Sequence, residues 1–328
     1  MEKEIKRHHH FLSKPLFAQS FKSTWALWLA LTLGSAFIFV VINATIGGKS
    51  LFTTINMNVV SQYVQEENLS WLKILGLLER MGFDLGRIQV MSRIDLNSVM
   101  NELIYKIAGV LLPMIYVIII SNKLIASQVN DGSMAYVLST PTNRKVVVRT
   151  QFFYLVLSII AMYIVITISA LTSELVAHFV ARHQNPDAEV IYTPLSTLLL
   201  CFSSFFSIFA LAGIGFGASC WFNKSNYSIA VGGGVCVISF ICCILGLFGN
   251  QVFVAVGLGV KAMDFFNYLS IFTLVDGDAI SEFAKATLQI DGNTFNLAWL
   301  WKDAILFGIG WIFAVVGGFK FLKKDLPL

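Results

Sequence analysis

Six long apolar runs dominate this chain, at residues 25–46, 105–121, 151–173, 195–220, 228–248 and 304–319. A helix needs about 20 apolar residues to cross a hydrocarbon layer ~30 Å thick, and there each backbone polar group must find its partner within the protein. A helix meets that demand segment by segment. The runs therefore predict an all-α integral membrane protein with six transmembrane helices, organised as one transmembrane domain over 1–328. Composition agrees, since 56% of the residues are hydrophobic and 13% charged, against roughly 45–50% and 25% in soluble domains. The second run is short and contains Pro113, which predicts a kink. Beside the sixth run, Trp299 and Trp301 suit an interfacial belt, with Lys302 and Asp303 at its outer edge. The first run is too long for a removable signal peptide and has no small-residue cleavage site after it, so it is expected to remain as a span.

Lysine and arginine set the orientation. With the N-terminus inside, the inner segments are 1–24, 122–150, 221–227 and 320–328. They carry thirteen bases against four acids, a net +9, while the rest of the chain is −5. Basic loops stay on the cytoplasmic side, which predicts an N-in, C-in topology. Two sizeable extracytoplasmic segments follow, 47–104 and 249–303. The first contains "LSWLKILGLLERMGF" (69–83), amphipathic at helical spacing. The second contains "VFVAVGLGV" (252–260), too short to span and suited to a re-entrant or interfacial path. Neither segment is low in complexity, so both are expected to fold. Ahead of the first span, "SKPLFAQSFKSTW" (13–25) has Ser13 as a cap, Pro15 in a first turn, and Phe17, Phe21 and Trp25 at i, i+4 and i+8. That pattern predicts an interfacial helix on the inner membrane surface. The alternative is an inward extension of span 1.

Little in the chain resembles a chemical centre. Cys201, Cys220, Cys236, Cys242 and Cys243 all lie in or beside apolar runs, where cysteine behaves as a small hydrophobe rather than as a disulfide or zinc ligand. The stretch "NATIGGKS" (43–50) ends like a phosphate-binding loop, but Asn43 stands where that loop needs its first glycine and no strand precedes it. His8, His9 and His10 read as a solvated terminus. His178 and His183 lie near Glu174, Asp187 and Glu189 on the outer side, where a metal site or proton relay is an alternative that the wide spacing disfavours. No catalytic constellation is present, and no metal or nucleic acid is expected. The centres of the spans hold almost no ionisable groups, although ion-coupled carriers need them. If this chain moves something, the energy comes from another polypeptide.

The segment "QVNDGSMAYVLSTPTNR" (128–144) then stands out as a polar stretch between spans 2 and 3, facing the cytosol. Gly132 permits a turn. Met134, Val137 and Leu138 recur at i, i+3 and i+4 and give a short helix one apolar face. Thr140-Pro141 ends it, because proline disfavours helix in the residue before it. Thr142 or Asn143 can cap the next helix, whose first turns hold Arg144, Lys145 and Arg149. Bases at a helix N-terminus oppose its dipole, so anionic lipid or an acidic partner accounts for them better. The reading is a stiff docking helix with its apolar face turned outward.

These features resemble the membrane subunits of ABC (ATP-binding-cassette) exporters of the second type. Their inner loop between spans 2 and 3 runs roughly Glu-x-x-x-Gly-Thr, then Leu, then Pro and a base. Here Gly132-Ser133 matches the Gly-Thr, Val137-Leu138 the aliphatic pair, Pro141 the proline and Arg144 the base. Gln128 departs from the family's Glu and lacks its charge. The resemblance extends to six N-in spans, the N-terminal interfacial helix and a re-entrant segment between spans 5 and 6. It implies an ATPase-coupling element at Gln128, Asp131, Gly132, Ser133, Met134, Val137, Leu138, Pro141 and Arg144. It also implies a non-catalytic permease in a bacterial cell membrane, with membrane lipid around it. A second permease copy or paralogue would pair with it. A cytosolic ABC ATPase would bind ATP and Mg, and this chain would hold no cofactor. Uncharged spans suggest a hydrophobic or amphipathic cargo, such as a peptide, bacteriocin, antibiotic or lipid-like molecule. The alternative is a membrane sensor or immunity protein that binds a peptide outside and signals to a cytosolic partner without transport.

Overall fold

The computed structural model describes residues 12–42, 107–139, 143–184, 194–249, 260–287 and 295–324. All regular structure among them is helical. Segments 47–104 and 252–259, the histidines 8–10, the loop-like 43–50, Pro141, Asp187 and Glu189 lie outside the described residues.

Six helices are long and apolar enough to cross a membrane. Span 1 is α1 (Lys14–Ile42). Span 2 starts with a π-type turn (Ile107–Leu111), continues as α2 (Leu112–Leu124) and ends as α3 (Ala126–Asn130). The short α4 (Ser133–Ser139) follows. Span 3 is α5 (Arg144–Gln184) and span 4 is α6 (Pro194–Trp221). Span 5 comprises α7 (Ser225–Ser228), a π-type turn (Ile229–Gly233) and α8 (Gly234–Leu247). Two 3-10 helices (Lys261–Leu269 and Ile271–Leu274) and α9 (Gly277–Thr287) lead to span 6, α10 (Ala298–Leu322).

One expectation changes here. Residues 13–25 are not a separate interfacial element. They are the first turns of one unbroken 29-residue helix that continues through span 1. No breaker interrupts "KPLFAQSFKSTWALWLA", and hydrogen bonds to span 3 hold those first turns, so the inward-extension alternative describes the chain. Span 2 has its irregular turn immediately before Pro113, where proline cannot donate to the preceding turn, and a second break at Ile125.

Span 4 is the most buried of the six. It packs along span 6 and against spans 2, 3 and 5, while span 1 packs on spans 3 and 2. The close approach to span 6 depends on missing side chains. A β-carbon on Gly213 would collide with the backbone of Gly310, and one on Gly217 would lie 2.7 Å from the Phe313 carbonyl oxygen. On another face of span 4, a β-carbon on Gly215 would lie 2.6 Å from Ser121 Oγ of span 2. In lipid, where apolar surface gains nothing by leaving solvent, such backbone proximity is a main source of helix association.

The seam between spans 1 and 3 is polar. Ser13 N donates to Thr150 Oγ1 at 3.0 Å, Ser20 Oγ to Gln151 Oε1 at 2.8 Å and Trp28 Nε1 to the Ser158 carbonyl at 2.9 Å. Thr24 and Tyr154 share a short hydrogen bond between them. Tyr163 of span 3 reaches across the bundle to the Gly109 and Ser204 carbonyls of spans 2 and 4 at 2.6 and 3.1 Å. The five cysteines are all free and buried.

Six crossings put residue 12, residues 131–139 and 143, the 222–224 turn and residue 324 at one end of the bundle, the basic end. At the opposite end, residues 261–275 pack back into the bundle. Asn267 Nδ2 donates to the Gly246 carbonyl at 3.2 Å, and Ser270 Oγ to the Ser239 carbonyl, deeper in span 5, at 2.8 Å. Phe272 is buried against Phe240, and Val275 packs with Ala210 of span 4 and Leu306 of span 6.

Candidate functional site

The segment singled out by sequence lies at the basic end and is built on a broken helix. Span 2 breaks at Ile125, whose φ of −130° and ψ of −63° leave the helical region. The break frees backbone N–H groups, which are costly to leave unpaired inside protein. The Ala126 N–H is taken by Ser219 Oγ of span 4 at 2.9 Å. Just before the break, Asn122 Nδ2 donates to Ser225 Oγ at the start of span 5, at 2.7 Å. Ile125 and Ala126 are fully buried. The base of the segment is therefore pinned to spans 4 and 5.

Gly132 then reverses the chain. Its φ of +72° lies in the left-handed region, which costs an L-residue with a side chain about 1–2 kcal/mol. Its N–H donates to the Val129 carbonyl at 3.2 Å and its carbonyl accepts from Ala135 N at 3.0 Å, so one glycine ends α3 and starts α4. The position has no neighbour that a β-carbon would meet, so conformation alone calls for glycine.

The orientation of α4 is the main correction. Met134, expected to face outward, is 2% exposed and belongs to the central core, and Val137 and Leu138 are half-buried against it. The apolar face closes onto the bundle, because the reversal at Gly132 folds the helix back over span 2. The outward face carries Tyr136, 81% exposed, with Asp131, Ser133 and Ser139. Asp131 accepts from Ser127 Oγ at 3.2 Å and Asn130 Nδ2 at 3.3 Å. Gln128 is half-buried, and its backbone carbonyl accepts from Ser133 Oγ at 3.2 Å.

The C-terminal side of the segment is tied as well. Arg144, at the start of span 3, donates from Nη1 to the Lys324 carbonyl at 2.8 Å. Lys324 Nζ donates to the Cys220 carbonyl at 3.2 Å, capping the end of span 4. Burial pushes the Lys324 ammonium down to about 8, and Lys320 nearby pushes the same way. The expected interfacial aromatics are split. Phe17 meets Tyr154 edge-on at 5.2 Å, whereas Phe21 and Trp25 are exposed on the outer face of α1.

The profile of the ABC-2 family transporter protein matches residues 19–326, nearly the whole chain. The chain belongs to the ABC-2 transporter family. It is a multi-pass membrane protein of that transport family, and the α3–α4 segment joins spans 2 and 3 of this ABC-2 protein at its basic end. Comparison with curated proteins and with solved structures returns no match.

The ABC-2 chain also holds acids that pair with hydroxyls. The position of Asp303 suits the outer edge of span 6 if that span starts at residue 304, but the span can also start earlier. Span 6 begins at Ala298, so Asp303 lies one turn inside it, 4% exposed, with Oδ1 accepting from Ser203 Oγ of span 4 at 2.6 Å. Glu174 accepts from Thr197 Oγ1 at 2.5 Å. Among the described residues no group of three metal-ligating side chains comes together. The anchor at Ser219 and the exposed Tyr136 were not singled out from sequence. A hydroxyl near the end of an apolar run was the only signal for the first.

Proposed function

We propose that this chain is the permease subunit of an ATP-driven exporter, paired with a second permease copy or paralogue above two cytosolic ABC ATPases. The basic end faces the cytosol. The observation that carries the reading is the rigid mounting of α4. Its base is held to span 4 through Ala126–Ser219, its buried face by Met134, and the helix after it to span 6 through Arg144–Lys324. A force applied at α4 reaches spans 2 and 4 through its pinned base and its buried face. ATP binding and hydrolysis at Mg-bearing sites in the ATPases would move α4 and shift the spans between two packings.

The docking surface is Asp131, Ser133 and Tyr136, seated in a groove of the ATPase as a helix-in-groove contact. Met134, Val137, Leu138 and Arg144 hold α4 in place rather than touching the partner. Gln128 has no charge to offer the ATPase, and its backbone carbonyl braces the Gly132 turn instead. The cargo is hydrophobic or amphipathic, since the described spans present neutral hydroxyls and aromatics and few charges.

The test is purification of the tagged chain from its native cells in gentle detergent, with co-purifying chains identified and ATPase activity measured. An ABC ATPase in about equal amount is expected. Tyr136→Asp should leave the permease folded and lose the ATPase, while Met134→Asp should lose the folded permease. If Tyr136→Asp retains full, cargo-coupled ATPase activity, the docking surface is wrong. A lone chain, or a signalling enzyme as the partner, would favour the sensor alternative.

A further inference from the structure

Three cations converge where spans 3, 4 and 6 end at the basic face. Arg144 donates to the Lys324 carbonyl at 2.8 Å, Lys324 donates to the Cys220 carbonyl at 3.2 Å, and Lys320 Nζ stands 5.1 Å from the centre of the Trp221 ring. None of the three pairs with a carboxylate among the described residues. The one described acid at this end, Asp131, accepts from Ser127 and Asn130 on its own segment. Among the described residues the cations therefore have no carboxylate countercharge; burial first, and Lys320 after it, lower the Lys324 ammonium. Each also has spare donors. Lysine has three and arginine five, and among the described residues Lys324 and Arg144 each engage one.

The surroundings identify the anion. Trp221 is half-exposed at the end of an apolar helix, the place where an amphipathic ring meets lipid headgroups. Val316 lies one turn below Lys320 on the same face of span 6, and Phe319 beside it is exposed too. So the charge sits above an apolar surface continuous with the membrane-facing part of the helix. Lys320 is exposed, but Arg144 and Lys324 are half-buried, a setting that suits a lipid phosphate better than the surface of an acidic protein. All three sit at the ends of spanning helices.

We propose that this junction is a binding site for an anionic phospholipid. Its phosphate rests on Lys320 and Lys324 beside Trp221, and its acyl chain lies along Val316 and Phe319. The lipid ties the ends of spans 4 and 6, and through the Arg144–Lys324 bond steadies the start of span 3. The site does not depend on transport.

The test uses the full-length purified chain in nanodiscs of phosphatidylcholine with increasing phosphatidylglycerol, reading thermal stability and the lipid retained on gentle release from the disc. Phosphatidylglycerol should raise the melting temperature and be retained over phosphatidylcholine. Lys320→Gln and Lys324→Gln should each weaken retention about fivefold, the equivalent of the ~1 kcal/mol per cation typical at a membrane surface. Lys261→Gln, at the opposite end, should leave it unchanged. Lys320→Gln alters an exposed side chain, so the proposal stays testable if the double variant does not fold. Equal retention of both lipids, or full retention in Lys320→Gln, would overturn it. So would an equal shift from inorganic phosphate alone, or release of the lipid by a bound ATPase at the same cations. Asp325→Asn is the control for a countercharge from the chain itself. If that change alone creates the preference for phosphatidylglycerol, Asp325 is the native partner and the proposal fails.

Discussion

Spans 4 and 6 are joined by glycines and spans 1 and 3 by hydroxyls, and the two seams behave differently under strain. At the first, Gly213 and Gly217 bring backbones together, and the contact is van der Waals packing with no substitute in lipid or water. At the second, Ser13, Ser20, Thr24 and Trp28 pair with Thr150, Gln151, Tyr154 and the Ser158 carbonyl. Each such bond is worth only about 0.6 kcal/mol within a membrane, because water or another partner can replace it. The difference teaches that the seam of spans 4 and 6 tolerates no added side chain, whereas the seam of spans 1 and 3 rests on bonds that can each be replaced.

The sharpest way to break this comparison is Gly213→Leu. A side chain there meets the Gly310 backbone, which cannot rotate away, so the expected loss is about 3 kcal/mol or more. Folded protein should disappear from size-exclusion profiles in detergent, and an unchanged profile and melting temperature would refute that intolerance. Next is Asp303→Ala, also between spans 4 and 6. It removes the acceptor of Ser203, leaving a buried hydroxyl unpaired at a cost of about 1–3 kcal/mol, whereas Asp303→Asn keeps an acceptor and should lose less. Equal melting temperatures for the two variants would show that Ser203 is satisfied otherwise.

Tyr154→Phe and Gln151→Leu probe the polar seam. Each is expected to cost about 0.6 kcal/mol and to raise cysteine-crosslinking or hydrogen-exchange rates along span 1 without unfolding the protein. A loss as large as that of Gly213→Leu would make the two seams equivalent. The smallest effect concerns Lys324, which bridges spans 4 and 6 to span 3. Its ammonium is lowered by burial to about 8, so between pH 8 and the ordinary lysine range the unfolded chain binds more protons than the folded one. Stability should therefore rise with pH across that window, and the penalty should be fully present below pH 8. The effect is small, since the side chain is partly in solvent, and it should vanish in Lys324→Met. A wild-type melting curve that falls over the window relative to Lys324→Met would reverse the sign.

All six spans, and the membrane class with them, were legible in the sequence. A transmembrane helix satisfies its own backbone hydrogen bonds, so length and hydropathy within one segment are enough to define it. The turn at Gly132 and the short helix after it were legible for the same local reason. The burial of Asp303 was missed because the limit of span 6 was drawn from hydropathy, and a carboxylate paired with a hydroxyl from another helix leaves no mark in its own segment. The anchor between Ala126 and Ser219 joins positions 93 residues apart, and no local pattern encodes it.

The face of α4 shows the limit most clearly. Met134, Val137 and Leu138 at helical spacing established that the helix has an apolar side, and the sequence by itself determined that much. It could not determine the direction. In a soluble protein an apolar face points to the core, because water lies outside. At a membrane surface lipid, a partner and the core are all apolar, so the same stripe suits any of them. The tertiary structure decided it, through the left-handed turn at Gly132 and the fixed base at Ile125, which leave α4 room only to fold back with Met134 inward and Tyr136 outward.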